Sequence, residues 1–300
     1  MVHPNFINTC LFKSISGIIQ FYLNYIYVTK LKISNREKIR IENKSELEQR
    51  EELIVSLTTF PARIDTVWIT IETIFDQTIL PDRIILWLGE EQFPEGIVTL
   101  PKKLLSLQQR GLEIKFRKNL ISHTKYFYAI KENPEAIVIT VDDDLFYPHD
   151  LMRILLNLYK QYPHDIISTS AQEINDDFFL PQSKWNTPHF NHINHKIAKC
   201  RILGVSGVLY PPNSLHLDVF NIELMKICPW ADDLWLTIMA VINGTKIVRY
   251  EFRSNPLCIK NTQKFSLWKG NRSVQKLSND DQWQNLTEYY KTNLEKVLNK

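Results

Sequence analysis

From Leu53 onward the chain alternates short apolar runs with stretches whose apolar residues recur every three or four positions. The runs LIVSLTT (53–59), RIILWLG (83–89), LEIKFR (112–117) and AIVITVD (136–142) predict strands. Between the first two, IDTVWITIETIFDQT places Val67, Ile71, Ile74 and Phe75 on one helix face, with Pro81 as its boundary. HDLMRILLNLYKQY predicts a second amphipathic helix between Pro148 and Pro163. Further on, RILGVSGVLYPP (201–212) predicts a glycine-containing strand and turn, ADDLWLTIMAVIN (231–243) a helix and KIVRYEF (246–252) a strand. This alternation predicts an α/β fold with a mainly parallel sheet flanked by helices. Ligands of such sheets sit beyond the carboxyl ends of the strands, so TTFPARID, the region after IKFR and DDDLFYP are expected to border one crevice.

The first 52 residues follow another pattern. Leu11, Ile15, Ile18, Ile19, Tyr22 and Ile26 recur at helical spacing within 11–29, leaving Ser14, Gln20 and Asn24 elsewhere on the surface. The run is too interrupted for a spanning helix, and no small-residue cleavage site ends it. Two readings stand: a helix in a membrane interface with Lys13, Lys30 and Lys32 near anionic headgroups, or a helix packed on this protein or a second subunit. The expected organisation is an amphipathic segment over 1–31, a charged linker or helix over 32–52, and the main domain over 53–300.

Composition narrows the classes. A net charge of +3 across 300 residues does not call for nucleic acid as a partner. Cys10, Cys200, Cys228 and Cys258 are far apart, without a CxxC pair, and read as reduced thiols in a cytoplasmic setting.

The chemistry concentrates in IVITVDDDLFYPHDL, where three aspartates end a buried strand against repulsion and desolvation. In an extended segment Asp142 and Asp144 would share one face and Asp143 the other. Two oxygen ligands on one face suit Mg²⁺ or Mn²⁺, with phosphate oxygens and water completing the shell. Helix capping would use one aspartate and leave two unexplained. A second acidic pair, Asp232 and Asp233, opens the apolar helix in CPWADDLWL, where backbone N–H groups favour negative charge. His189, His192 and His195 recur every third residue in QSKWNTPHFNHINHK (182–196), without the helix pattern or acidic partner of a zinc site. That segment reads as an acceptor-side loop with Trp185 as a sugar-stacking face.

In order, VSLTTFPARI, TIFDQTILPDRIILWL, VITVDDDLFYP, GVSGVLYPP and ADDLWL resemble a group of bacterial glycosyltransferases related to family 2, over about Glu52 to Glu251. The resemblance implies the GT-A fold, a Rossmann-like sheet, and sugar transfer from a nucleoside-diphosphate donor to a glycan or glycolipid hydroxyl. Its DxD motif, here Asp142 and Asp144, would hold the metal on the diphosphate, with Asp143 among the donor contacts. The resemblance places the catalytic base in the second acidic motif, with Asp233 as base and Asp232 positioning the acceptor, or the reverse. Thr58, Pro61 and Arg63 fall where the nucleotide is expected, and Lys125 where the family has a lysine. Gly204 and Gly207 would let backbone approach a sugar, on which Tyr210 would stack. Inversion at the anomeric carbon and a role in surface polysaccharide or lipooligosaccharide synthesis are further expectations, with cytoplasmic or peripheral membrane location. The competing reading is a binding module that keeps the fold without turnover. A dinucleotide oxidoreductase is disfavoured because GxGxxG is missing.

Overall fold

A computed structural model describes residues 19, 22–28, 51–174, 176–185, 200–250, 257–265 and 277–299. The loop containing His189, His192 and His195, nearly all of the charged linker and most of the N-terminal amphipathic stretch lie outside these residues. Within that stretch, Tyr22–Tyr27 form a π-helical turn. Tyr22, Tyr25 and Ile26 are exposed there, while Val28 enters the core. No helix among the described residues is long and apolar enough to cross a membrane.

In chain order the strands are β1 (Leu53–Thr59), β2 (Arg83–Gly89), β3 (Leu112–Arg117), β4 (Ile137–Thr140), β5 (Leu145–Phe146), β6 (Ile166–Ser168), β7 (Ala171–Glu173), β8 (Cys200–Ile202), β9 (Val208–Tyr210), β10 (Ile247–Arg249) and β11 (Leu257–Cys258). The helices are α1 (Val67–Phe75), α2 (Lys102–Ser106), α3 (Thr124–Glu132), α4 (Leu151–Gln161), α5 (Ile222–Met225), α6 (Asp232–Ile242), α7 (Asn279–Tyr289) and α8 (Lys291–Leu298). Seven strands form one sheet in the order β10-β6-β9-β4-β1-β2-β3, and β9 alone runs antiparallel to its neighbours. Two short antiparallel pairs, β5 with β11 and β7 with β8, stand outside it.

The inner strands are predominantly apolar because both sheet faces are covered there, whereas the edge strand β3 alternates Glu113, Lys115 and Arg117 with apolar residues and is half-buried. In β1, Leu53, Val55 and Leu57 join Val67, Ile71, Ile74 and the α4 residues Leu151, Met152 and Leu155 on one side. Ile54 turns the other way, to Ile85, Trp87, Ala129 and Val138. A third apolar group gathers α6, α7 and α8 around Trp235, Trp283 and Leu286. Each such side chain, fully buried, contributes roughly 1.5–3 kcal/mol, enough to fix which face each strand presents.

Topology then determines where the acids go. From β1 the chain proceeds outward to β2 and β3, then crosses to the other side of β1 to build β4. Connections therefore diverge between β1 and β4, and the carboxyl ends of these strands frame the crevice typical of a switch point. Because β9 is antiparallel, with Val208 opposite Thr140, it enters the sheet where β4 leaves it. The Leu203–Gly207 segment is thereby delivered to the same end as the aspartates.

Two expectations are corrected. The predicted strand ends at Thr140, and Asp142–Asp144 lie beyond it, with Asp143 and Asp144 in a turn, so strand alternation does not govern their directions. The predicted single strand of RILGVSGVLYPP is two strands in different sheets, separated by a 3-10 turn at Gly204–Ser206.

Candidate functional site

A cleft of about 1160 Å³ opens at this edge, lined by Thr58, Arg63, Lys125, Asp142, Asp143, Asp144, Asp232 and Asp233 among others. With Gly204, nine of the residues singled out from sequence thus converge on one space, although they come from five separate regions of the chain. Pro61, Gly207 and Tyr210 do not line it. Tyr210 is 2% exposed on β9, and Gly207 has φ +99° with the Leu151 side chain against it. Trp185 is likewise buried, edge-on to Trp283 at 4.8 Å between ring centroids, and its Nε1 donates to the Leu180 carbonyl at 2.9 Å. It is a core residue and not a sugar platform.

The cation that the three aspartates call for is partly supplied from within. Arg63, in the 3-10 turn after β1, places Nη1 2.5 Å from Asp143 Oδ1 and Nη2 2.9 Å from Asp144 Oδ2. Asp143 is fixed further by the Thr59 hydroxyl, which donates to its Oδ2 at 2.5 Å. Burial still raises the Asp143 pKa despite Arg63 and Thr59. Asp144 Oδ2 also accepts from Gln263 Nε2 at 2.7 Å. Burial, with Asp142 and Asp143 nearby, outweighs Arg63 and Gln263 and pushes the Asp144 pKa up to about 7. The turn is held by the Asp142 N–H donating to the Tyr147 hydroxyl at 2.7 Å and the Ile259 N–H donating to the Asp144 carbonyl at 2.8 Å.

Lys125 joins the two acidic motifs. Its ammonium stands 2.9 Å from Asp142 Oδ1 and 3.1 Å from Asp232 Oδ2. Burial opposes that charge, yet Asp142, Asp232 and Asp233 together hold the Lys125 pKa well above its ordinary value. The lysine is positioned through its own backbone, whose carbonyl accepts from the Ser56 hydroxyl; that hydroxyl in turn accepts from Trp87 Nε1 at 2.9 Å. Two residues earlier, His123 places Nε2 2.8 Å from the Cys228 carbonyl and Nδ1 2.8 Å from the Tyr126 hydroxyl. Burial lowers the His123 pKa. A neutral ring that donates through Nε2 and accepts through Nδ1 satisfies both contacts and ties the start of α3 to the approach to α6.

Asp233 differs from Asp232. Its Oδ1 accepts the Gly204 N–H at 2.9 Å, while Oδ2 lies 3.7 Å from Arg201 Nη2 and is free of a close partner. Burial and the adjacent Asp232 raise its pKa to about 7, against Lys125 and Arg201. Asp232 instead is buried on Lys125. The ends of Lys125 and Asp233 crowd Gly204, where a Cβ would lie 2.9 Å from Lys125 Nζ and 3.0 Å from Asp233 Oδ1.

Among the described residues five carboxylates and three cations (Arg63, Lys125, Arg201) line this cleft, an excess of two negative charges when all are ionised. Among the described residues no group of three or more His, Cys, Asp or Glu side chains is gathered as a metal-ligand set. One carboxylate oxygen on each of Asp142 and Asp144, Oδ2 and Oδ1 respectively, takes no hydrogen bond from the described protein, since Lys125, Arg63 and Gln263 use the others. Two such ligands plus diphosphate oxygens and water are a coordination that Mg²⁺ or Mn²⁺ adopts, so the residues fit a divalent ion held jointly with a phosphate-bearing ligand. Four further polar atoms of the wall, Arg63 Nε, Ser122 Oγ, Gln182 Oε1 and Arg201 Nε, are buried without a partner. Unmet polar groups gathered at one concavity mark a surface built to meet a ligand.

Sequence reading missed Arg201 and Gln263. A cation opening the apolar run CRILG was a signal for the first; the second is brought to Asp144 from 119 residues away without any local mark. No protein-family profile matches the chain, and no curated protein matches it.

Proposed function

We propose that the protein is a metal-dependent glycosyltransferase of the GT-A type, moving a sugar from a nucleoside-diphosphate donor to a hydroxyl of a glycan or glycolipid. The observation that carries this reading is the meeting of two acidic turns, Asp142–Asp144 and Asp232–Asp233, across Lys125 at the switch point of the sheet. A divalent ion on Asp142 and Asp144 would neutralise charge on the departing diphosphate. Arg63 orders the turn that presents these two carboxylates. Lys125 keeps positive charge between donor and acceptor sides and pins Asp232 in place.

Asp233 is the proposed base. Its Oδ1 is anchored on the Gly204 N–H, its Oδ2 has no close partner on a residue that lines the cleft, and a pKa of about 7 makes it a proton acceptor matched to neutral pH. Asp232, bound to Lys125, is the positioning partner. With Asp233 assigned as base and no described residue assigned as nucleophile, the proposed transfer inverts the anomeric centre; the proposed setting is surface polysaccharide or lipooligosaccharide synthesis at the cytoplasmic face.

The test is calorimetric titration of UDP, GDP, CDP and their sugars with Mn²⁺ and with EDTA, on the wild type and on Asp144→Ala. Binding of one nucleotide that is lost with EDTA and in the variant is the expected result, followed by nucleotide release once an acceptor is added. Binding without turnover would indicate a sugar-nucleotide module, and no binding with metal present would refute the donor site.

A further inference from the structure

Among the described residues of the cleft, Arg201 is a cation whose bonding capacity is largely unused. It lies on β8 opposite Gln172 of β7 and is 6% exposed. Its Nε has no partner, Nη1 reaches Gln172 Oε1 only at 3.5 Å, and Nη2 is 3.7 Å from Asp233 Oδ2. A guanidinium has five N–H donors in a rigid fork, and burying it half-satisfied is costly unless a ligand completes it. Nor is it simply the countercharge of Asp233. The other cleft arginine, Arg63, grips its two carboxylates at 2.5 and 2.9 Å, whereas Arg201 holds off.

Arg201 is also rigidly placed. The Ile202 N–H beside it donates to Thr237 Oγ1 at 3.0 Å, and that hydroxyl donates to the Asp233 carbonyl at 2.7 Å, so β8 and the first turn of α6 are held together. A group resting on Arg201 therefore sits at a set distance from Asp233.

We propose that Arg201, with Gln172 beside it, reads an anionic substituent, a carboxylate or a phosphate monoester, carried by the acceptor glycan. The proposal rests on the glycosyl-transfer reading above, because Asp233 as base defines the acceptor side. The acceptor would be an acidic saccharide, its charge bound by the Arg201 guanidinium, whose Nη1 and Nη2 make only long contacts, while a hydroxyl of the same chain faces Asp233 Oδ2.

The experiment is saturation-transfer NMR on the full chain with Mn²⁺ and whichever of UDP, GDP or CDP binds. Its probes are methyl β-glucuronide, glucose 6-phosphate and methyl β-glucoside. One charged probe is expected to bind roughly tenfold more tightly than the neutral glucoside, the glucuronide if the group is a carboxylate and the phosphate ester if it is a phosphate. Arg201→Gln should abolish the preference and Arg201→Lys should retain part of it. Gln172→Glu, which places a carboxylate next to Nη1, should abolish it as well and serves if Arg201→Gln does not fold. Equal binding of all three probes, or a preference that survives Arg201→Gln or Gln172→Glu, overturns the proposal. If Arg201→Gln weakens the nucleotide and leaves the probes unchanged, Arg201 belongs to the donor; this proposal falls while the transfer reading stands. If no nucleotide binds with metal, the transfer reading fails and takes this proposal with it.

Discussion

Gly204→Ala separates the demands of the fold from those of the site. A methyl at this position would lie 2.9 Å from Lys125 Nζ, 3.0 Å from Asp233 Oδ1 and 3.9 Å from Asp142 Oδ1. Relief to ordinary contact needs a shift of about half an ångström by the ammonium, and somewhat less by the carboxylate. Both atoms are the far ends of side chains, so the fold can yield cheaply. The loss of chain entropy in the unfolded state even favours alanine by about 0.4–1 kcal/mol, and the net change in stability should stay within about 1 kcal/mol. The same atoms, however, hold the 2.9 and 3.1 Å contacts of Lys125 and aim the proposed base. Misplacement on this scale at a reacting centre lowers turnover by roughly 10–100-fold. Urea unfolding and the rate of nucleotide release from the donor with Mn²⁺ and acceptor measure the two effects. Wild-type turnover in a normally folded variant would show that the ends of Lys125 and Asp233 have no part in the chemistry. A stability loss beyond about 3 kcal/mol would show that packing, not chemistry, demands the glycine.

Gly207→Ala should behave oppositely, losing about 1–2 kcal/mol in urea unfolding because φ is +99° and Leu151 Cδ2 lies 3.2 Å away, with turnover per folded molecule retained. Arg63→Met leaves the buried Asp143 carboxylate without its cation and should cost about 3–5 kcal/mol; adding Asp143→Asn should recover about half of that in a double-mutant cycle. Asp144 and Asp233 titrate near 7 in the folded protein against an ordinary 3.8, so the folded chain holds the extra protons between these values. These two groups therefore subtract stability as pH rises from about 4 to about 7, while Mn²⁺, which takes the carboxylate form, binds roughly tenfold more tightly at pH 8 than at pH 6. Thermal unfolding with and without Mn²⁺ at both pH values checks this, and a metal-induced rise in Tm that is equal at the two would contradict it.

The ends of β1, β2 and β3 coincide with the runs read from sequence, since β1 and β2, covered on both faces, announce themselves residue by residue and β3 by alternating apolar with charged residues. The helices at 151–161 and 232–242 were equally legible from their spacing. What failed was geometry within short polar segments. Asp142–Asp144 follow β4 as a turn fixed by Tyr147 and Ile259, partners 5 and well over 100 residues away, and no local pattern encodes such contacts. The internal countercharge went unseen for the same reason. Arg63 and Lys125 were visible as single cations, but their pairing with acids 80 and 17 residues onward depends on the order of strands in the sheet. The antiparallel entry of β9, which brings Gly204 against Asp233, left no trace in a run that reads as one strand.

The Arg63 guanidinium also donates to the carbonyl of Thr262 at 3.3 Å, 199 residues further along the chain, and Gln263 closes on Asp144 from the same stretch. During synthesis, a ribosome that has released β1 to β4 has therefore produced a nascent sheet whose acidic turn lacks its closing strap. Assembly of the cleft must wait until residues 257–263 have left the exit tunnel and β11 has paired with β5. A chain interrupted before that point would keep most of its core and most of the cleft wall while Arg63 and Asp144 lack their partners at Thr262 and Gln263, so ligand binding should fall further than folding.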